Sequence, residues 1–226
     1  MINHETKAVV FGALKDDAMI PFIEDIAKKE DDKGNTIVHI ISLGDFINKD
    51  TSLERLKAHY TRINPRYNSD FIWTFVRGKE EADLVSLDND AARQSPTVKL
   101  LIKSSAISKP DFMIKQPVAS YTPHCNGQAI QEWRDTLEEH CVLKKRLGKF
   151  IFTHLGYNND KEFDKQDMTD VIYSSRFTVP KGDVLVRTSK HESANDALVN
   201  ILPNQVVVLD ITKGTVEKSY TYAKSA

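Results

Sequence analysis

Short apolar runs, each ending at a glycine-bearing loop, alternate along this chain with stretches whose apolar residues recur every three to four positions. Lys7 to Phe11 is such a run and stops at Gly12, which predicts a buried parallel strand. Within Asp16 to Glu30, residues Met19, Ile20, Ile23, Ile26 and Ala27 recur at helical spacing. They predict a helix with Pro21 in its first turn, where the missing N–H costs little. Ile37 to Leu43, stopping at Gly44, and Asp70 to Val76, followed by Gly78, read as further strands. A helix from Ser52 to Arg62, capped by Thr51 or Ser52, fits between them. Strand–helix–strand–helix–strand order predicts parallel pairing through right-handed crossovers.

Ala82 to Ser120 is less periodic and reads as mixed helix and loop. Gln128 to Leu147 reads as one long helix, with Ile130, Trp133, Leu137, Cys141 and Leu147 on or near one face. Lys149 to Thr153 and Val184 to Val186 read as strands, and Glu192 to Ile201 as a helix. Gln205 to Ile211 and Ser219 to Ala223 alternate as antiparallel closing strands turned at Lys213-Gly214. The expected architecture is a single α/β domain over residues 1–226, with two packed mixed sheets flanked by helices.

Composition narrows the function without naming it. The formal net charge is -1, so no basic field points to nucleic acid or an anionic membrane. No apolar run approaches the ~18 residues of a transmembrane helix. The N-terminal Met1-Ile2-Asn3-His4-Glu5 lacks the basic and apolar regions of a signal peptide. Two cysteines, Cys125 and Cys141, make no disulfide framework, so a reducing, cytoplasmic setting is expected.

The candidate chemistry sits in three loops that directly follow the first three predicted strands: Phe11-Gly12-Ala13-Leu14-Lys15-Asp16, Gly44-Asp45-Phe46-Ile47-Asn48-Lys49-Asp50 and Val76-Arg77-Gly78-Lys79-Glu80-Glu81. Spacing and context resemble the D-x-H, G-D-x-x-D-R-G and G-N-H-E motifs of calcineurin-like metallophosphoesterases, the serine/threonine protein phosphatases most of all. Phe152-Thr153-His154-Leu155-Gly156-Tyr157 resembles the surroundings of that family's next histidine ligand. Asn126-Gly127 resembles its Asn-Gly turn, and Val207-Val208-Leu209-Asp210 its closing strand.

The resemblance implies a two-metal site, with ions about 3.5–4 Å apart sharing a bridging water. This sequence keeps the frame of that site and loses most of its ligands. The first loop's aspartate and histidine fall on Ala13 and Lys15. Asp45 is retained, while the second aspartate and the phosphate-gripping arginine fall on Asn48 and Lys49. The third loop's asparagine and general-acid histidine fall on Lys79 and Glu80, with Arg77, Gly78 and Glu81 as in the family. His154 is retained, and the final histidine falls on Thr188, with His191 as a shifted substitute.

The resemblance therefore implies a vestigial site of Asp45, Glu80, Glu81 and His154, with no metal expected. An ammonium beside a divalent ion in a desolvated pocket is strongly unfavourable. Lys15 and Lys79 are expected to pair with Asp45 and Glu81 in place of metal charge. Lys15, Lys49, Arg77 and Lys79 are the candidates for attracting phosphate. The implied function is that of a pseudophosphatase working by protein binding, as a scaffold, an assembly component or the binder of a phosphorylated partner. Its size is closest to small phage and bacterial members of the family, which suggests a viral or microbial source and a virion or host-cytoplasm setting in the viral case. Two alternatives stay open. One is a divergent phosphoesterase using manganese or another divalent metal on Asp45, His154 and His191 or Glu80. The other is a purely structural subunit.

Other pairings weigh less. His124-Cys125 and His140-Cys141 have a spacing unlike structural zinc sites, and adjacent helical residues point about 100° apart. Cys141 reads as a small core residue. Phe71, Trp73 and Phe75 alternate along one strand as sheet packing.

Overall fold

The computed structural model describes residues 5–14, 18–31, 34–47, 71–86, 128–174, 177–191 and 195–223, the side chains of 128–130 excepted. The expected helix from Ser52 to Arg62, residues Lys15, Asn48, Lys49, His124 and Cys125, and nearly all of the irregular stretch after Ala82 lie outside them.

Among the described residues, ten strands form two mixed sheets. The strands of the larger sheet are β1 (Glu5–Phe11), β2 (Thr36–Ser42), β3 (Ile72–Val76), β4 (Cys141–Val142), β9 (Gln205–Asp210) and β10 (Thr215–Thr221). Their spatial order is β10-β9-β1-β2-β3-β4. β1 to β4 run parallel, as strand–crossover–strand order predicts, and β9 and β10 close the edge antiparallel. The smaller sheet orders β5 (Lys145–Leu147), β6 (Phe150–Phe152), β7 (Val184–Thr188) and β8 (Leu198–Ile201), with β5 antiparallel and the rest parallel.

The two-residue period of β1 explains how the layers assemble. Ala8 and Val10 turn inward and join Ile41, Val76, Phe150, Phe152, Val186 and Leu209 between the sheets. Val9 and Phe11 turn outward and meet Met19, Ile23, Ile26 and Ala27 of helix α1 (Met19–Glu30). Every apolar position read from the α1 periodicity is buried, each such large side chain contributing roughly 1.5–3 kcal/mol. Lys28 and Lys29 occupy its last turn, where the helix dipole favours cations.

Two expected helices change on folding. The helix from Gln128, α3 (Gln128–His140), ends seven residues before the predicted Leu147, because Cys141 and Val142 leave it to pair with Phe75 and Val76. The β3 edge would otherwise carry unpaired amides, and the Arg77 N–H donates to the Val142 carbonyl at 2.8 Å. Cys141 is buried with or without the helix, which is why the 3.6-residue period ran through it. Trp133 and Leu137 are fully buried as predicted. The helix expected over Glu192 to Ile201 is instead, in its described part, a turn and strand β8. Leu198 pairs with Leu185 and Ile201 with Thr188, extending the smaller sheet. Both are buried at a spacing of three, a pattern a short strand and a helix share.

Candidate functional site

The candidate loops leave the C-terminal ends of parallel strands, where open α/β sheets place ligands. Those after β1, β2, β6 and β7 border an open pocket of about 490 Å³ whose lining includes Ala13, Asp45, His154, Thr188 and His191. Four separate parts of the chain that resemble a metal site thus meet at one place.

The loops after β2 and β3 interlock. Gly44 has φ 97°, and a Cβ there would lie 2.2 Å from the Gly78 nitrogen. A Cβ on Gly78 would lie 2.3 Å from the Asp45 nitrogen and 2.5 Å from its Oδ1. Only glycines permit this approach. Asp45 itself takes φ 59°, a left-handed conformation uncommon outside glycine.

Glu81 locks that junction. It lies in helix α2 (Lys79–Ser86) and is fully buried. Its Oε2 accepts the N–H groups of Gly78 and Asp45 at 2.8 and 3.1 Å, and its Oε1 those of Phe46 and Ile47 at 3.0 and 2.9 Å. With four backbone donors spent on it, the carboxyl is committed to holding the loops. Burial and the Asp45 charge push its pKa up to about 7, against the pull of the backbone donors.

His154 comes from the loop after β6. Its side chain is 5% exposed. Nδ1 lies 2.8 Å from the Leu43 carbonyl, which can only accept, so Nδ1 carries the proton. Burial lowers the imidazole pKa, favouring the neutral ring. Nε2 then presents a lone pair, 3.6 Å from Asp45 Oδ1. The Thr188 N–H and Oγ1 both donate to the His154 carbonyl, at 3.0 and 2.9 Å, fixing the backbone beneath the ring.

Glu80 stands beside Asp45, outside the pocket lining. Burial first, then a hydrogen bond and charge repulsion from Asp45, push its carboxyl pKa up to about 7. Asp45 Oδ1 and Glu80 Oε2 are buried atoms without a hydrogen-bond partner.

The expected lysine substitution for metal charge does not occur at Lys79. That side chain is exposed at the first position of α2, and the Glu81 oxygens it was to pair with are taken by backbone amides. Among the described residues, no lysine or arginine ion-pairs with Asp45, Glu80 or Glu81. Arg77 is half-buried with Nε unpartnered, and Lys15 and Lys49 lie outside the described residues. His191 reaches the pocket rim, exposed.

The sequence did not single out Arg187, another wall of the pocket. Its Nε donates to Asn200 Oδ1 and its Nη1 to the Leu155 carbonyl, both at 3.0 Å, and its guanidinium stacks 4.6 Å over Phe177. Its position directly after a short apolar run carried no distinctive signal.

The donors present do not fit a two-metal centre. Ala13 offers no ligand at the end of β1, and Glu81 is occupied. Among the described residues, the one group of three or more His, Cys, Asp or Glu with donor atoms within 4.8 Å of one another is Glu5, Asp210 and Glu217, on the β1–β9–β10 edge. Asp45, Glu80 and His154 do not form such a group. Cys141 is buried, as the core reading expects.

No protein-family model and no curated protein matches this chain. Among solved structures, the cold-active protein-tyrosine phosphatase of the psychrophile Shewanella sp. is similar in fold at a TM-score of 0.51 and 9% identity, over 91% of this chain and 77% of that one. A protein serine/threonine phosphatase from Saccharomyces cerevisiae, with similarity to human phosphatase PP5, aligns at a TM-score of 0.45 and 9% identity, over 99% and 82%. No described helix is long and apolar enough to cross a membrane. The likeness is one of fold: this chain has a phosphatase-like α/β architecture of two sheets flanked by helices.

Proposed function

We propose that this chain is a calcineurin-like metallophosphoesterase by descent that works by binding a partner protein rather than by two-metal hydrolysis. The observation that carries this is the ligand set at the strand ends. Asp45 and His154 face each other at 3.6 Å, but Ala13 stands at the end of β1, and Glu81 is spent on backbone amides. What remains is a shaped pocket with fixed polar groups, suited to recognition. Its lining carries the Asp45 carboxyl together with the basic Arg187 and Lys190, so it offers a partner groups of both charges.

The test is metal content and turnover. The protein is incubated with excess manganese and zinc, desalted, and counted for metal by elemental mass spectrometry, then assayed on an aryl phosphate with manganese. Well under one metal per chain and no turnover above buffer are expected. One or two tightly held metals with hydrolysis, both lost in Asp45→Asn, would overturn the reading in favour of a divergent phosphoesterase.

A further inference from the structure

We propose that the uncovered inner face of β2, β3 and β4 is a second docking surface, which takes a partner segment combining aliphatic side chains with a carboxylate. It is independent of the pocket and of the reading given above for it.

The strip follows from strand register. Ile41 and Val76 lie in the core between the two sheets. Strand alternation puts Ile37 and His39 on the same face as Ile41, and Ile72 and Thr74 on the same face as Val76. His39 stands opposite Ile72, Ile41 opposite Thr74, and Val76 opposite Val142. The smaller sheet covers only part of this face: Ile37, Ile72 and Val142 are 41%, 45% and 42% exposed. Ile37 and Ile72 are diagonal neighbours on adjacent strands, close enough to be covered together. Exposed aliphatic side chains grouped within a polar rim mark an interaction surface.

Charge decides what covers it. Lys145 of β5 alternates with Leu147, which packs against the core between the sheets, so its side chain turns to the same side. Its charge reaches His39, where it adds to burial in lowering the imidazole pKa. Lys145 is half-buried and makes no ion pair among the described residues. His39 Nδ1 is buried without a hydrogen-bond partner. A carboxylate arriving beside Ile37 and Ile72 meets that ammonium in a partly desolvated place, where the attraction exceeds its value in water. A second copy of this chain, seated on the strip about a two-fold axis, would instead set Lys145 against Lys145.

The probe is the blocked peptide Leu-Asp-Leu-Glu-Leu, with Leu-Lys-Leu-Lys-Leu and Ser-Asp-Ser-Glu-Ser as counterparts, titrated against the full chain. The readout is the His39 ring resonances by NMR, assigned with His39→Gln. Saturable shifts with the first peptide are expected, with each counterpart at least about tenfold weaker. Ile72→Ser should weaken the first peptide more than about tenfold. Lys145→Glu should turn the preference to the lysine peptide. Val216→Ser, on exposed β10, should change nothing. Thermal melts check that each variant folds. No saturable shift, equal binding of the three peptides, or equal loss in Val216→Ser overturns the proposal. Dimerisation in sedimentation velocity that Ile72→Ser abolishes would also overturn it, giving the strip to a second copy. The metal count tests the pocket separately, so each of these results leaves the pocket reading standing.

Discussion

Glu81 Oε1 accepts the backbone N–H of Ile47 at 2.9 Å across 34 residues of sequence. Through this contact and its three companions, one carboxyl joins the loop after β2 to the loop after β3. The pocket therefore depends on a residue that does not reach into it. Glu81→Ala leaves three buried N–H groups and one part-buried one unsatisfied, each buried group costing about 1–3 kcal/mol, so a loss of more than about 3 kcal/mol is expected in urea unfolding. Glu81→Gln, which keeps one acceptor oxygen, should fall between it and the parent protein. An Ala variant as stable as the parent would remove the clamp role.

Gly44 and Gly182 separate backbone strain from crowding. Both have left-handed φ, 97° and 95°. Nothing lies within 4 Å of a Cβ on Gly182, whereas one on Gly44 overlaps the Gly78 backbone at 2.2 Å. Gly182→Ala should cost about 1–2 kcal/mol, the conformational term alone. Gly44→Ala should cost clearly more and drive apart the loops carrying Asp45 and Glu80. Equal costs in a melting comparison would mean that the two loops do not pack as described.

Glu80 gives the protein a pH dependence near neutrality. Its pKa rises from 4.5 to about 7 on folding, so the folded chain holds a proton that the unfolded chain releases between those values. Stability from this group is therefore full below pH 4.5 and declines as pH rises through about 7. Glu81 carries the same sign. Glu80→Gln should match the parent near pH 5 and melt higher than it at pH 8. A variant melting lower than the parent at pH 8 would contradict like-charge repulsion at Asp45.

Ile41 and Ile37 stand on the same face of β2, yet one is fully buried between the sheets and the other is 41% exposed. Ile41→Ala should cost about 2–5 kcal/mol through the cavity it leaves. Ile37→Ala should stay within about 0.5 kcal/mol. Chemical denaturation of the two variants checks the contrast, and comparable losses would mean the sheets pack further along β2.

What the sequence by itself determined was local and periodic. Near-continuous apolar runs in Lys7 to Phe11 and Ile37 to Leu43 specify strands buried on both faces. The 3.6-residue spacing from Met19 to Ala27 specifies one buried stripe of α1. Glycines after those runs marked the loops that meet at the pocket, and the retained Asp45 and His154 marked which loops they were. Tertiary structure decided whatever depended on a partner distant in the chain. Cys141 and Val142 left a helix because β3 needed an edge partner, and Leu198 to Ile201 became a strand because β7 offered one. Lys79 faces outward because backbone amides had already taken the carboxyl it was expected to pair with. Hydrogen-bond competition across 30 or more residues leaves no periodic trace in the sequence; only the folded chain shows which donor reaches the acceptor first.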